Sequence, residues 1–429
     1  MGMKIRYKRL CRNVVLLLLF ILGACFLKRG NEKRIVSVKE KEISKDVTTN
    51  QEIDAAGNTG ETETKEQDGE DAIKTADTEN DNEIEKMLSD MTIEEKVAQM
   101  YVLFLDTFMG EEQVTSVEEE IERQFTQYPV GGILIMGNNV ETPEQITELN
   151  SRIKEAGFAK TGLVPFICVD EEGGTVTRIA HKESFPVTDV GDMSEIGRTG
   201  DSVNAYQAGR TLGSYLEEYQ FNVDFAPDAD VVVNPENEVI GTRSFGSDAG
   251  LVSEMVVQEI KGLQEEHICA AVKHFPGHGA TEEDSHKGFA YSRRTMEQIQ
   301  ECELLPFQAA IKEGTEFVMV GHISYPEIIG NDEPASLSQY MITDLLKNKM
   351  GYDGIVITDA MNMGAISQNY SSGEATVKAI EAGVDMILEP EDFQESYQAV
   401  MDAVKSEEIS EKRINESAKK VLKVKRRLE

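Results

Sequence analysis

Eight times between residues 101 and 390, a short apolar run gives way to an amphipathic helical stretch. The runs are YVLFLDTF (101–108), GGILIMG (131–137), VPFICVD (164–170), VDFAPDADV (223–231), ICAAVKHF (268–275), EFVMVGHI (316–323), GIVITDA (354–360) and VDMILEP (384–390). Between them lie patterns such as EQITELNSRIKEAG, SVNAYQAGRTLGSYLEEY and LVSEMVVQEIKGLQEE. Continuous apolar strands separated by helices indicate a parallel sheet covered on both faces. Eight such units in ~340 residues predict an α/β fold, a (β/α)8 barrel of the TIM type, with a doubly wound open sheet as the alternative. A helix precedes the first strand in EIEKMLSDMTIEEKVAQM, where Thr92 and Glu95 have capping-box spacing.

A barrel makes a specific claim about polar residues. Its active site lies at the C-terminal ends of the strands. Asp170, Asp228, Asp230, Lys273, His274, His322 and Asp359 all fall at such ends. Polar residues also close strands at ordinary loop boundaries. Repetition over so many strand ends favours function.

The formal net charge of −35 argues against nucleic acid as a partner, because phosphate backbones recruit Lys and Arg. The charge is uneven. Residues 1–45 are basic and residues 46–85 strongly acidic, and the two nearly cancel. Most of the acidity therefore belongs to the remainder. Val14 to Leu27 form an apolar run behind a basic start. A membrane span takes about 20 apolar residues, so this run is short for one and has the pattern of an export signal. Leu22-Gly23-Ala24-Cys25 resembles the lipobox of bacterial lipoproteins, with Cys25 as the lipidated residue. An uncleaved signal anchor is the alternative. Either places the remaining chain on the extracellular face of the cytoplasmic membrane. Residues 28–83 hold few large apolar side chains and read as a disordered acidic linker. The expected division is therefore an anchor over 1–27, a linker over 28–83 and a barrel domain over 84–429. The five cysteines show no disulfide pattern.

KHFPGHGATEEDSH (273–286) gathers three of the six histidines. His274 and His278 have the spacing of a helical zinc motif, but their spacer is Phe-Pro-Gly, which a helix interior does not tolerate. No metal or other cofactor is expected. Asp284 and His286 are two apart. A carboxylate that close can accept an imidazole N–H, fix the tautomer and raise the basicity of the ring. Asp359, at the end of GIVITDA, can attack an anomeric carbon if it faces the barrel mouth. It can equally be the N-cap of the next helix.

These stretches resemble glycoside hydrolase family 3, in its bacterial β-N-acetylglucosaminidase branch. KMLSDMTIEEKVAQM, VDEEGGTVTR (169–178), VIGTRSFGSD (239–248), KHFPGHGATEEDSH and GYDGIVITDAM carry the resemblance. The K-H-F-P-G-H-G…D-S-H match is the most specific of them. The resemblance implies Asp359 as nucleophile and His286 as general acid/base with Asp284 as its partner. It implies Asp170, Arg178, Arg243, Lys273 and His274 as sugar-binding residues, with His278 and His322 nearby. Glu171, Thr175 and Thr242 depart from the family pattern, and Glu171 and Thr175 bear on fine specificity. The implied reaction is retaining hydrolysis of terminal β-GlcNAc. Cell-wall muropeptides or related oligosaccharides are the expected substrates, and a monomer the expected state. A neutral histidine does not repel phosphate, so phosphorolysis stays open. So do a β-glucosidase and a sugar-binding surface lipoprotein. The chain ends soon after the eighth unit, and no second catalytic domain is expected.

Overall fold

The computed structural model describes residues 81–281, 288 and 290–428. The expected anchor with Cys25, the linker up to residue 80, Asp284 and His286 lie outside the described residues.

The eight runs form eight parallel strands. They are β1 (Tyr101–Phe104), β2 (Gly132–Leu134), β3 (Phe166–Val169), β4 (Val223–Asp224), β5 (Cys269–Phe275), β7 (Phe317–Val320), β9 (Ile355–Thr358) and β10 (Ile387–Leu388). Two further short strands, β6 (Ala290–Tyr291) and β8 (Ile323–Ser324), pair with each other outside the barrel. The sheet order is β10-β1-β2-β3-β4-β5-β7-β9. A parallel bridge between Ile357 and Met386 joins its two ends, supported by Thr358 N–H donating to the Met386 carbonyl at 3.1 Å. The sheet is thus a (β/α)8 barrel and not an open one.

Side chains alternate across each strand. Phe166, Val223, Ala271, Phe317, Ile357 and Met386 face inward as one apolar core. Phe166 and Phe317 meet edge to face at 5.2 Å. Gly132 makes room for this layer, since a Cβ there would lie 2.8 Å from the Cβ of Phe166. The opposite faces pack beneath the helices in a larger core.

Several strands end earlier than their apolar runs. In YVLFLDTF the strand stops at Phe104, and Leu105–Met109 is helical. The Asp106 carboxylate accepts the N–H groups of Gln113 and Val114, which turns the chain over the rim. In VDFAPDADV only Val223–Asp224 is strand. Pro227 has no N–H to continue a ladder. In VDMILEP, Glu389 takes a left-handed φ of 40°, and its carboxylate accepts from Phe104 N–H at 2.7 Å. That contact pins β10 to β1 at the rim.

The N-terminal side also differs from expectation. Residues 81–90 are already helical, so 81–83 belong to the fold and not to a linker. Ile84 and Leu88 are buried against Leu163, Ala418 and Leu422. Burying two such side chains is worth roughly 3–6 kcal/mol. Ion pairs of Asp81 with Lys423, Glu83 with Arg426 and Glu85 with Lys419 flank the contact. Their exposure makes them minor contributors. The apolar side chains, absent from the preceding residues, hold this helix down. The capping box at Thr92 and Glu95 is present. Among the described residues, no helix is long and apolar enough to cross a membrane.

The C-terminal helix Glu411–Arg427 closes the base of the barrel, with Val421 and Val424 entering the inner core. Lys425 follows them into the interior. Its Nζ donates to Gln99 Oε1 at 2.7 Å and lies 5.2 Å from the centre of the Phe166 ring. Burial pushes the ammonium down to about 7. The unfolded chain binds this proton up to about pH 10.4, whereas the folded chain releases it near 7. The cost of burying the charge is therefore full below pH 7 and fades as pH rises through that window. Lys425→Met should raise the unfolding free energy by an amount on the order of 1–4 kcal/mol below pH 7. That advantage should shrink steadily toward pH 10 in urea titrations run across the range.

Candidate active site

Three consecutive acids follow β3 and point to three environments. Asp170 stays at the rim, 2.8 Å from Lys273 Nζ and 3.7 Å from Arg178 Nη2. Glu171 is fully buried. Its carboxylate accepts the backbone N–H groups of Arg178 (2.5 Å), Ile179 (3.1 Å) and Ala180 (3.0 Å), and the Tyr215 hydroxyl (2.9 Å). Burial raises its pKa, and these four bonds oppose the rise. Glu171 therefore shapes the loop that presents Arg178, and its contacts are within the protein. The departure from the family pattern at this position is one of loop support.

Glu172 is buried and takes both cations. Its carboxylate receives Arg243 through two bonds, Nε to Oε2 and Nη2 to Oε1, each 2.8 Å. Lys273 Nζ lies 2.6 Å from Oε1. Burial would push this carboxyl up, but Arg243 and Lys273 outweigh it and hold it well below the usual carboxylate range. Sequence reasoning did not single out Glu172.

A second group stands on the loop after β4 and the tip of β5. Asp230 is fully buried and accepts His274 Nδ1–H at 2.8 Å and the backbone N–H of His278 at 2.5 Å. Burial opposes its ionisation, yet the bonds from the His274 ring and the His278 backbone lower its pKa. Burial and the adjacent Asp230 push Asp228 well up. With Nδ1 donating to Asp230, His274 Nε2 is the acceptor for Arg243 Nη2 at 3.3 Å, because a guanidinium can only donate. The donor atoms of Asp228, Asp230 and His274 lie within 4.8 Å of one another, close enough to hold an ion. The Arg243 guanidinium already lies among them, 3.6 Å from Asp228 Oδ2. A metal would have to displace that cation, so these residues do not fit one.

His278 is buried, with Nδ1 2.8 Å from Thr281 Oγ1. Burial pushes its pKa down to about 4, against the pull of Asp230 and Asp359. It is a neutral ring at physiological pH.

Asp359 directly follows β9 and is half-buried. Its N–H donates to the Val320 carbonyl at 2.9 Å, and its Oδ1 accepts Ala360 N–H at 2.8 Å. The next helix, Gly364–Ser367, begins five residues later with Met363 at its N-cap. Asp359 is therefore not a helix cap. His322 secures the same tip. Its Nε2 donates to the Ala360 carbonyl at 3.0 Å, and its Nδ1 lies 2.7 Å from Ser336 Oγ. A carbonyl only accepts, so the proton is on Nε2.

Asp170, Arg178, Arg243, Lys273 and His274 thus form one connected network at the barrel mouth. Asp359, His278 and His322 stand on the same rim. Asp284 and His286 lie outside the described residues.

Known proteins resemble this chain in sequence and in fold. Residues 92–424 match the glycosyl hydrolase family 3 N terminal domain. Beta-hexosaminidase A of Pseudoalteromonas piscicida is 31% identical over 340 residues, 73% of this chain and 56% of that protein. A beta-hexosaminidase of Stenotrophomonas maltophilia is 32% identical over 285 residues, 65% of this chain and 82% of that protein. The structure of a glycoside hydrolase family 3 beta-N-acetylglucosaminidase from Paenibacillus superposes with a TM-score of 0.73 at 36% identity, covering 79% of this chain and 63% of that one. This chain therefore spans little more than half of the first relative and most of the second. With the family domain matched from the first capped helix to the one that closes the base, the chain belongs to glycosyl hydrolase family 3.

Proposed function

We propose that this protein is a retaining β-N-acetylglucosaminidase that removes terminal non-reducing GlcNAc. The observation that carries this reading is the setting of Asp359. A half-buried carboxylate is fixed at the tip of β9, on the rim where Lys273, Arg243, His274 and Asp170 converge. Relatives at 31–32% identity named beta-hexosaminidase, and the Paenibacillus structure, support the choice of sugar.

In the reaction, the sugar hydroxyls bind Asp170, Arg178, Lys273 and His274. Asp359 attacks the anomeric carbon as the glycosidic C–O bond breaks. His286 gives its proton to the departing oxygen, with Asp284 accepting the other ring N–H. The neutral His286 then takes a proton from water, whose oxygen displaces Asp359 with overall retention. His278 stays neutral throughout and adds no charge beside the anionic nucleophile. The basic start, the short apolar run and Cys25 support a position outside the cytoplasmic membrane, anchored by that segment. There the substrates would be GlcNAc-terminated fragments of the cell wall.

An aryl β-GlcNAc should be hydrolysed at least about tenfold faster than the matching aryl β-glucoside. Asp359→Ala should abolish turnover while the protein still binds GlcNAc in calorimetry. Equal rates on the two sugars would reject the sugar assignment, and undiminished turnover in the variant would reject the nucleophile. Glu172→Gln leaves Lys273 with Asp170 and Arg243 with Asp228 and Asp230 as counter-charges. It should cost about 3 kcal/mol in urea unfolding and raise KM for the aryl β-GlcNAc at least about tenfold.

A further inference from the structure

The mouth of the barrel has two unlike sides. From β3 through β4 to β5 it carries Asp170, Arg243, Lys273 and His274, joined by ion pairs and hydrogen bonds. The way round from Asp359 on β9 through β10 and β1 to β2 is apolar. Side chains two apart on a strand share a face. Phe104 therefore points inward with Val102, and Met136 lies on the inner side with Leu134. Both pack on the inner core, as does Ala360 beside Asp359, and all three are only half-buried. They form the upper surface of that core, at the end of the barrel where the site lies.

The register fixes where this surface stands. Leu134 pairs with Cys168, so Met136 is level with Asp170, two residues further along each chain. Val102 pairs with Leu388, and Met361 N–H donates to the Leu388 carbonyl at 2.9 Å, so β10 alone separates Phe104 from Asp359. Gly137 abuts a sugar-binding residue, since a Cβ there would lie 3.5 Å from Arg178 Cδ. The surface is also held in place. Phe104 N–H is bound by Glu389, and Met136 N–H donates to Asn139 Oδ1 at 2.9 Å. Asn139 Nδ2 in turn donates to Asp106 Oδ1 at 2.6 Å, tying the loop after β2 to the one after β1.

A terminal GlcNAc offers hydroxyls at C3, C4 and C6, and one exocyclic methyl, that of its acetamide. The acetamide stands on C2, next to the anomeric carbon that Asp359 attacks. Its methyl therefore lies close to the nucleophile, and among the described residues the apolar side of the mouth is the one suited to it. We infer that Phe104, Met136 and Ala360 form the wall that receives the acetamido methyl and are specificity-determining residues for GlcNAc. This rests on the reading of Asp359 and of the sugar given above. The polar side serves hydroxyls that glucose also has. Discrimination then comes from burying the methyl, an effect of about 10–200-fold in an apolar pocket.

The test compares kcat/KM of the full chain on 4-nitrophenyl β-GlcNAc and on its N-formyl analogue, which lacks only that methyl. The wild type should favour the N-acetyl substrate at least about tenfold. Met136→Ala and Phe104→Ala should each compress the ratio to less than about threefold, with the N-formyl rate within about threefold of wild type. Phe104→Leu should give an intermediate ratio. Met136→Ala, at a half-buried position, decides the matter if Phe104→Ala does not fold. Equal losses on both substrates, or a wild-type ratio near one, would overturn the proposal while leaving a preference for GlcNAc over glucose intact. A wild type equally fast on the aryl β-glucoside would remove the sugar assignment and this proposal with it.

Discussion

The contact on which the mouth of this barrel depends is the buried meeting of Glu172 with Lys273 and Arg243. Two cations under a sugar-binding rim would repel each other and resist burial. Glu172 takes charge-assisted bonds from both, and these are roughly twice as strong as neutral ones. Lys273 still reaches Asp170, and Arg243 still reaches His274. The orientation of the sugar-facing side chains is thus inherited from a carboxylate beneath them.

This cluster also explains how a chain of net charge −35 can present a usable mouth. A rim of uncompensated carboxylates would raise the pKa of any nucleophile placed on it. Here Glu172 and Asp170 are matched by Lys273 and Arg243. Asp228 is pushed toward its neutral form, and His274 is held in the tautomer whose free nitrogen accepts from Arg243. The acidity of the molecule is kept away from the reacting groups by local pairing.

Much of this was legible in the sequence, for identifiable reasons. The eight strands announce themselves because each is apolar on both faces, as a buried parallel sheet requires. Their ends are less legible, because they are set by distant partners. The Asp106 carboxylate bends the chain after β1, and the left-handed Glu389 stops β10. The docked helix was read from Glu83, and its first two residues, Asp81 and Asn82, were missed because they are polar and its apolar anchors come later, at Ile84 and Leu88. At the site, Lys273, His274 and Asp359 were readable from their motifs. Glu171 and Glu172 were not distinguishable from each other, because adjacent carboxylates differ only in the direction the backbone gives them. One supports a loop and the other matches two cations. Whether Asp359 capped a helix was likewise a geometric matter, settled by the late start of that helix.

The helix at 81–90 lies beside the one that plugs the underside of the barrel, at the pole opposite Asp359. A molecule attached to any support through this helix therefore turns its catalytic opening outward. Fusions, labels or immobilisation chemistry placed there would leave the approach of a bulky polymer end unobstructed.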